Sequence, residues 1–456
     1  MAPKIQFESA HKSIQIEFTD QQLSPHAGTA TFWSFLHGSG WIGLLEKCLP
    51  HPLPKSNNHL QPLCKALGFV QGLLCGAKKL THVAYLRRDP MVPEMIGIKR
   101  VPSQSVLTRF FQGFSSAGRN LSCFRRLFGW CLERLPSREG GYALDLDSTR
   151  LLHEDGHQEG VAVGYTRVGN KPCLHPLVAV LSEVRLVASF WLRAGNCSCA
   201  NNGLSFFLDL WENLPRHLHL RVVRADSGFC VGGLLMLWET LKLKFVVAAR
   251  LTRPLQGLIK KETRWQATEI EGTEVAELDY REEGWPAGAR LIVLRHRQAD
   301  QQGRRGGKTL FDCPGYLYQG LVTHLPRTQK PLAVWREYNG RAACENIIKE
   351  LDAGYGLPEL ACKGFWGTEA ALSLGVLAHN LVVLFERKLG WLEAVTIGTL
   401  RYWLFVTAGV IRQAQGRTTI KLAVPLKERE WWQRLWEKLL SPFPNCNAVG
   451  NRPALP

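Results

Sequence analysis

Three acidic side chains stand where their carboxylates can serve one reaction. Asp147 closes Tyr142-Ala143-Leu144-Asp145-Leu146-Asp147, whose alternation of apolar and polar residues predicts a strand. Asp226 follows the apolar, β-branched run Leu218 to Ala225, read as a buried strand, within Arg224-Ala225-Asp226-Ser227-Gly228. Glu345 lies on a helix expected to begin near Arg341. Acids ending neighbouring strands converge at one edge of a sheet, and a third on an adjacent helix closes the set. Carboxylates so gathered repel one another unless a cation joins them. Oxygen-only donors suit Mg²⁺ or Mn²⁺, which keep positions open for phosphate oxygens. Two such ions about 3.5–4 Å apart activate a water or 3′-hydroxyl and stabilise the leaving oxygen of an in-line displacement. Taken singly, each acid reads as a turn or cap residue. Asp145 competes for the first position, because a period of two sets it on the same face as Asp147.

Other patterns fail on context. His153-Glu154-Asp155-Gly156-His157 has the letters of a zinc-protease pair, but Asp-Gly between two predicted strands favours a turn, and that chemistry needs a helix. Gly306-Gly307-Lys308-Thr309 has Gln302 where a phosphate-binding loop needs glycine, and reads as part of a basic loop from Asp300 to Lys308. Cys197-Ser198-Cys199 lacks the two-residue spacer of common zinc sites. The 13 cysteines form no framework and read as reduced thiols of a cytoplasmic protein.

The elements that must hold the acids fall into five spans. Residues 1–138 read as a helical DNA-binding domain, with apolar residues at helical spacing in Phe32 to Cys48 and Leu63 to Leu86. There Ser103 is a candidate helix cap, with Val106, Leu107 and Phe110 inward and Gln104, Ser105 and Arg109 outward. That helix reads equally as a DNA reader and as a capped surface helix. Residues 139–250 predict strands at Tyr142 to Asp147, Gly160 to Val168, Leu177 to Leu192, Leu218 to Ala225 and Phe245 to Ala249, with helices at Leu204 to Leu214 and Gly232 to Leu241. Residues 251–330 read as a β-rich insertion, 331–395 as the second part of the core with the Glu345 helix, and 396–456 as a C-terminal region with helices continuing to Leu440. The fold class is α/β: a mixed sheet flanked by helices, interrupted by the insertion, between helical ends.

Charge narrows the partners. Lys and Arg total 56 against 39 Asp and Glu, a net charge of +17, which favours a polyanion such as nucleic acid. Arg125-Arg126, Arg134 and Arg138 form a basic group suited to a DNA backbone or to solvent. The N-terminus has no apolar signal region. The apolar stretch Ala371 to Phe385 is short for a bilayer and contains His379 and Asn380, so no membrane role is expected.

The motifs around the acids resemble those of bacterial insertion-sequence transposases with an Asp-Asp-Glu site, and are most similar to insertion-sequence family 1380, a relative of family 4. The resemblance rests on Leu144-Asp145-Leu146-Asp147-Ser148-Thr149, the following Gly160 to Tyr165, Arg224 to Phe229, and Tyr338, Arg341 and Glu345 in their spacing. Leu23 to Gly28 and Pro102 to Ser105 extend it towards the N-terminus, and it reaches about Leu422. It implies an RNase H-like core with Asp147, Asp226 and Glu345 as metal-binding triad, where the residues alone leave Asp145 open. It also implies that Tyr338 and Arg341 contact DNA phosphates, and that a homodimer joins two inverted-repeat ends and inserts them in target DNA by cut-and-paste. One position departs: the family's lysine beyond the Glu falls on Asp352, with Lys349 about one turn earlier as substitute. The rivals are an RNase H-fold nuclease and a decayed transposase that only binds DNA.

Overall fold

The computed structural model describes residues 5–52, 56, 59–153, 156–166, 169–198, 201–297, 308–310, 313–391 and 395–442. Its centre is a ten-stranded mixed sheet. The strands run in the order Gln266–Ala267, Thr273–Leu278, Arg290–Arg297, Cys313–Thr323, Phe245–Ala248, Leu220–Ala225, Tyr142–Ser148, Leu177–Leu181 and Leu186–Trp191, with Lys308–Leu310 paired to Cys313–Thr323. Tyr142–Ser148, Leu220–Ala225 and Phe245–Ala248 are mutually parallel, and the remaining pairings are antiparallel. Parallel strands covered on both faces are apolar throughout. Here Tyr142 to Leu146 and Val222 to Ala225 are buried. The connecting helices Gly203–Asn213 and Gly232–Thr240 match the expected spans.

One long helix, Phe365–Lys388, is buried along most of its length and packs against the helix Ala117–Glu133 and the strand Leu186–Trp191. It closes that edge of the sheet through side chains. Asn380 accepts from Val187 N at 2.9 Å and donates to Val187 O at 2.7 Å. Those backbone groups would otherwise be an unpaired edge. The helix extends beyond the apolar stretch seen in the sequence, and by length and composition could cross a membrane. Its apolar window is 94% buried inside the protein.

The structure departs from the sequence reading in several places. The N-terminal region opens on a hairpin, Ile5–Glu8 with Ser13–Ile16, before its helices. Leu177 to Leu192 is two strands, reversed through Arg185 in the left-handed region (φ 57°). The segment after the Asp147 strand stands apart from the central sheet. Among the described residues Ala162–Thr166 pairs only with Gly169–Leu174, which also pairs with Leu151–Leu152. The β-rich stretch contains a helix, Arg253–Lys261, and its strands are hydrogen-bonded into the central sheet. The C-terminal region holds a second hairpin, Gly409–Ala414 with Arg417–Leu422, paired to Leu23–Ser24. The helix expected to reach Leu440 is present as Arg429–Leu440, and packs on the helix Ala30–Ser39 through buried Trp432, Leu435 and Leu439.

Much of the Arg125 to Arg138 group is committed internally. Arg125 pairs with Glu212 at 2.9 Å and Asp209 at 3.5 Å, and the Arg134 guanidinium lies 3.4 Å from the Trp130 ring centre. The cysteines whose side chains are described, from Cys48 to Cys362 with Cys199 and Cys313 excepted, are free thiols. Glu154, Asp155, Cys199 and residues 300–307 of the basic loop lie outside the described residues.

Candidate active site

The register of two parallel strands sets the site. Asp145 lies opposite Arg224 and Leu146 opposite Ala225, so the next step brings Asp147 beside Asp226. Asp145 is fully buried and committed elsewhere. Its oxygens accept from Arg224 Nε at 2.6 Å and Nη2 at 2.9 Å, and also from the Ser182 hydroxyl. Arg224 continues to Glu337, donating from Nη1 to its carbonyl at 3.0 Å and its carboxylate at 3.2 Å. Asp145, the competing candidate, is thus committed to a buried ion pair.

Asp147 holds Ser148 N on one oxygen at 2.8 Å and Arg341 Nη1 on the other at 2.6 Å. Burial pushes its pKa up to about 6; Arg341 opposes the shift and Asp226 adds to it. Asp226 sits just past its strand, where it caps the turn Ser227–Phe229 by accepting from Gly228 N at 2.9 Å. Glu345 lies in the first turn of the helix Ala342–Tyr355, where the helix dipole favours an acid, and accepts from Arg341 Nη2 at 3.2 Å. Burial works against the Arg341 charge, but Asp147, Tyr338 and Asp226 more than offset it, so the guanidinium stays firmly protonated. Tyr338 is buried beside it, its ring centre 5.7 Å from the guanidinium. Burial raises the Tyr338 pKa.

These groups line or underlie an open cleft of about 1010 Å³, bordered by Asp226, Arg250, His296, Trp335, Arg341 and Glu345. Arg250 ties down the Asp226 turn by donating to Ser227 O at 2.9 Å and Gly228 O at 3.2 Å. A smaller apolar cavity of about 410 Å³ near Phe124, Trp191 and Trp366 includes none of the three acids. Among the described residues no three acids, histidines or cysteines gather closely enough to hold a metal ion together. Arg341 bridges Asp147 and Glu345 instead.

The sequence reading missed Arg224, Arg250, His296 and Trp335. Arg224 left a signal, a charge inside an otherwise apolar strand. The other three come from a strand, a helix and a loop distant in sequence from the Asp226 turn or unmarked by any local pattern.

Lys349 is exposed one turn beyond Glu345. Asp352 is half-buried, one carboxylate oxygen lacks a hydrogen-bond partner among the described residues, and burial pushes its pKa up to about 6. Gln104, Ser105 and Arg109 are exposed on the separate helix Gln104–Gln112. Ser103 caps that helix as expected, accepting from Val106 N at 3.4 Å. Leu107 and Phe110 point inward, and Val106 is half-buried.

The Glu345 helix is braced from behind. Glu350 pairs with Arg185 at 2.6 Å and accepts from Ile397 N at 2.8 Å, while Arg185 also reaches Glu386 at 3.4 Å. Burial pushes the Glu386 pKa up to about 8, against the pull of Arg185. The folded state therefore keeps this proton after the unfolded chain has lost it. Stability falls as pH rises from the ordinary glutamate value towards 8, and levels off above. The Glu386→Gln variant should gain melting temperature relative to the wild type as pH rises from about 5 to about 8. A difference that stays constant over that range would exclude the titration.

A family described as "Transposase DDE domain group 1" matches residues 7–441. No curated protein matches the chain. Among solved structures the chain is similar to a piggyBac transposase in a cryo-EM synaptic complex with hairpin DNA. The identity is 12% and the TM-score 0.44, over 84% of this chain and 81% of that one. With the family match running from Phe7 to Ser441, across all three acids and the helix that carries the third, the chain belongs to the DDE-domain transposases.

Proposed function

We propose that Asp147, Asp226 and Glu345 are the catalytic triad of this transposase, cutting DNA at element ends and joining the ends to target DNA. The observation that carries the reading is the strand register that ends Tyr142–Ser148 and Leu220–Ala225 side by side. The strand order also supports an RNase H-like core. A three-stranded antiparallel meander is followed by two strands parallel to its first.

The donor chemistry fits a divalent cation of the Mg²⁺ or Mn²⁺ type, for which two ions are expected. The donors are carboxylate oxygens, and the desolvated Asp147 carries an acid charge that asks for a counter-ion. Their present spacing suits Arg341 instead. When bound, the ions supply Lewis-acid stabilisation of the attacking and leaving oxygens. The chain's own contribution is to fix Asp226 through Gly228 and Arg250, to hold Glu345 on a braced helix, and to keep Asp147 dry. Tyr338 and Arg341 stand beside the acids, where a phosphate entering the cleft would meet them. The partners are double-stranded inverted-repeat ends and target DNA, handled by a homodimer associated with the nucleoid in the cytoplasm.

Gln104, Ser105 and Arg109 are proposed as DNA contacts away from the cleft. Their support is local charge: Lys65, Arg109, Arg119 and His51 crowd one another, and burial and then Arg109 lower the Lys65 pKa. Arg109→Ala should weaken binding to the element ends and make the slope of log affinity against log salt shallower by about 0.9 for each phosphate that Arg109 neutralises. Lys349→Ala should lower strand transfer in the same preparations. An unchanged slope, or unchanged transfer, would remove the respective residue from the DNA path.

Asp352 favours one second reading, a protein that binds ends without cutting them. The deciding experiment is cleavage and joining with Mg²⁺ or Mn²⁺ on DNA carrying the inverted repeats that flank the gene. Products support the active enzyme; binding without products under varied conditions supports the relic.

A further inference from the structure

The acidic centre already contains a cation, and it is part of the chain. Arg341 places Nη1 2.6 Å from Asp147 and Nη2 3.2 Å from Glu345. Its side chain is 13% exposed, yet it also lines the open cleft. Asp147 has one oxygen on Ser148 N and the other on Arg341, so no oxygen of Asp147 is left without a hydrogen-bond donor. A divalent ion seated between Asp147 and Glu345 would meet the like charge of the guanidinium that now bridges them.

Arg341 is also built to move without dragging the fold. It stands at the junction of the helices Pro331–Asn339 and Ala342–Tyr355, as the cap residue of the second. Gly340 precedes it, packed so closely that a Cβ there would meet the Arg224 guanidinium. Arg224 is itself held by Asp145, so the backbone of the junction is pinned. The Arg341 side chain is hydrogen-bonded to the two acids, packs beside the Tyr338 ring, and already borders the cleft into which it would turn.

Building on the triad reading, we infer that Arg341 is a latch. It holds Asp147 and Glu345 as a placeholder counter-ion and yields them when a divalent cation binds, its guanidinium turning into the cleft to meet a DNA phosphate. The closed state sets a positive charge where an ion would bind, and the open state leaves a guanidinium in want of an anion. Metal and DNA therefore favour the same open state, and each tightens the binding of the other by the same factor. The arrangement ties the charging of the site to the presence of DNA. A guanidinium suits the role better than an ammonium, because its fork spans two carboxylates and matches phosphate geometry equally well.

The test is Mn²⁺ binding to the full chain, read from the spectroscopic signal of free Mn²⁺, with and without end DNA. The variants are Arg341→Met, Arg341→Lys and Asp226→Asn, with melting temperature as the folding control. Wild type should bind Mn²⁺ weakly alone and roughly 5–150-fold more tightly with DNA, the usual range of coupling between sites. Arg341→Met should bind Mn²⁺ more tightly than wild type without DNA and show less gain on adding it. Arg341→Lys, which keeps a cation at the site, should stay closer to wild type and serves if the methionine variant does not fold. Asp226→Asn should lose binding. DNA-free binding no tighter in Arg341→Met than in wild type, with Asp226→Asn still defective, would overturn the latch and leave the triad standing. Binding that survives Asp226→Asn would overturn the triad reading, and the latch with it.

Discussion

Asp226→Ala should abolish metal-dependent cleavage and joining while leaving the fold nearly as stable as before. Among the described residues the side chain accepts one hydrogen bond, from Gly228 N at 2.9 Å, at the cap of a single short turn. Losing such a cap costs about 0.5–2 kcal/mol, and Arg250 still holds the turn through two carbonyls. The chemical loss is far larger. Removing one preorganised charge-stabilising group costs roughly 10²–10³ in rate, and here the missing group would also carry the ion. The measurement is a gel assay of cleaved and joined DNA in Mg²⁺ and Mn²⁺, beside a melting curve. Full product from a folded variant would take Asp226 out of the active site and leave the family assignment intact.

Asp145 should behave in the opposite way. Asp145→Ala removes one partner of an ion pair in which the acid is fully buried and the Arg224 side chain is 6% exposed. Breaking such a pair typically destabilises by about 3–5 kcal/mol, because the remaining charge is stranded in a dry interior. Replacing both residues by apolar ones of similar volume should restore much of that loss. Activity in the single variant should therefore fall with the folded fraction, and recover on cooling or in stabilising solutes. Arg224 also holds the end of the helix Pro331–Asn339 through Glu337, so a partly folded variant would also misplace Tyr338 and Arg341. If Asp145→Ala melted like the wild type yet made no product, Asp145 would have a chemical role that the buried pair does not explain.

The contrast between two acids two residues apart marks how far a sequence reaches. Alternation identified the Tyr142 strand and set both acids on one face, but it cannot say which of them meets a buried arginine. That depends on the register with Leu220–Ala225, a pairing across many intervening residues. Helix caps are local, and Ser103 was legible for that reason. The β-rich character of this stretch was legible too, but not the long strand Cys313–Thr323 or the attachment to the central sheet. Cys313–Thr323 joins Phe245–Ala248 on one side and Arg290–Arg297 on the other, and nothing in the local pattern announces either partner.

The missed reversals share a cause. The hairpin near the C-terminus turns through Gln415 (φ 51°) and Gly416 (φ 71°), the backbone of a tight two-residue turn. Gln-Gly is a weaker sign of that turn than Asn-Gly or Asp-Gly. Leu177 to Leu192 reverses at Arg185 with no glycine, proline or asparagine to mark it. In both cases a residue takes a conformation its own type does not advertise. Glu345 was placed correctly on its helix, but its present partner, Arg341, was expected to face DNA. The resemblance describes the residue's role with its ligand, whereas the structure shows what the guanidinium holds without one.

The shared strand Cys313–Thr323 has a bearing on modularity. A β-rich stretch between two parts of a catalytic core looks, on paper, like a cassette that could be excised or exchanged. Here its removal would strip the neighbour from Phe245–Ala248 and bare that strand's N–H and C=O groups along one side. A freshly exposed, apolar strand is a template for self-association. This transposase therefore carries its β-rich stretch as the wall of its own sheet, and a shortened version would need a new wall before it needed a new function.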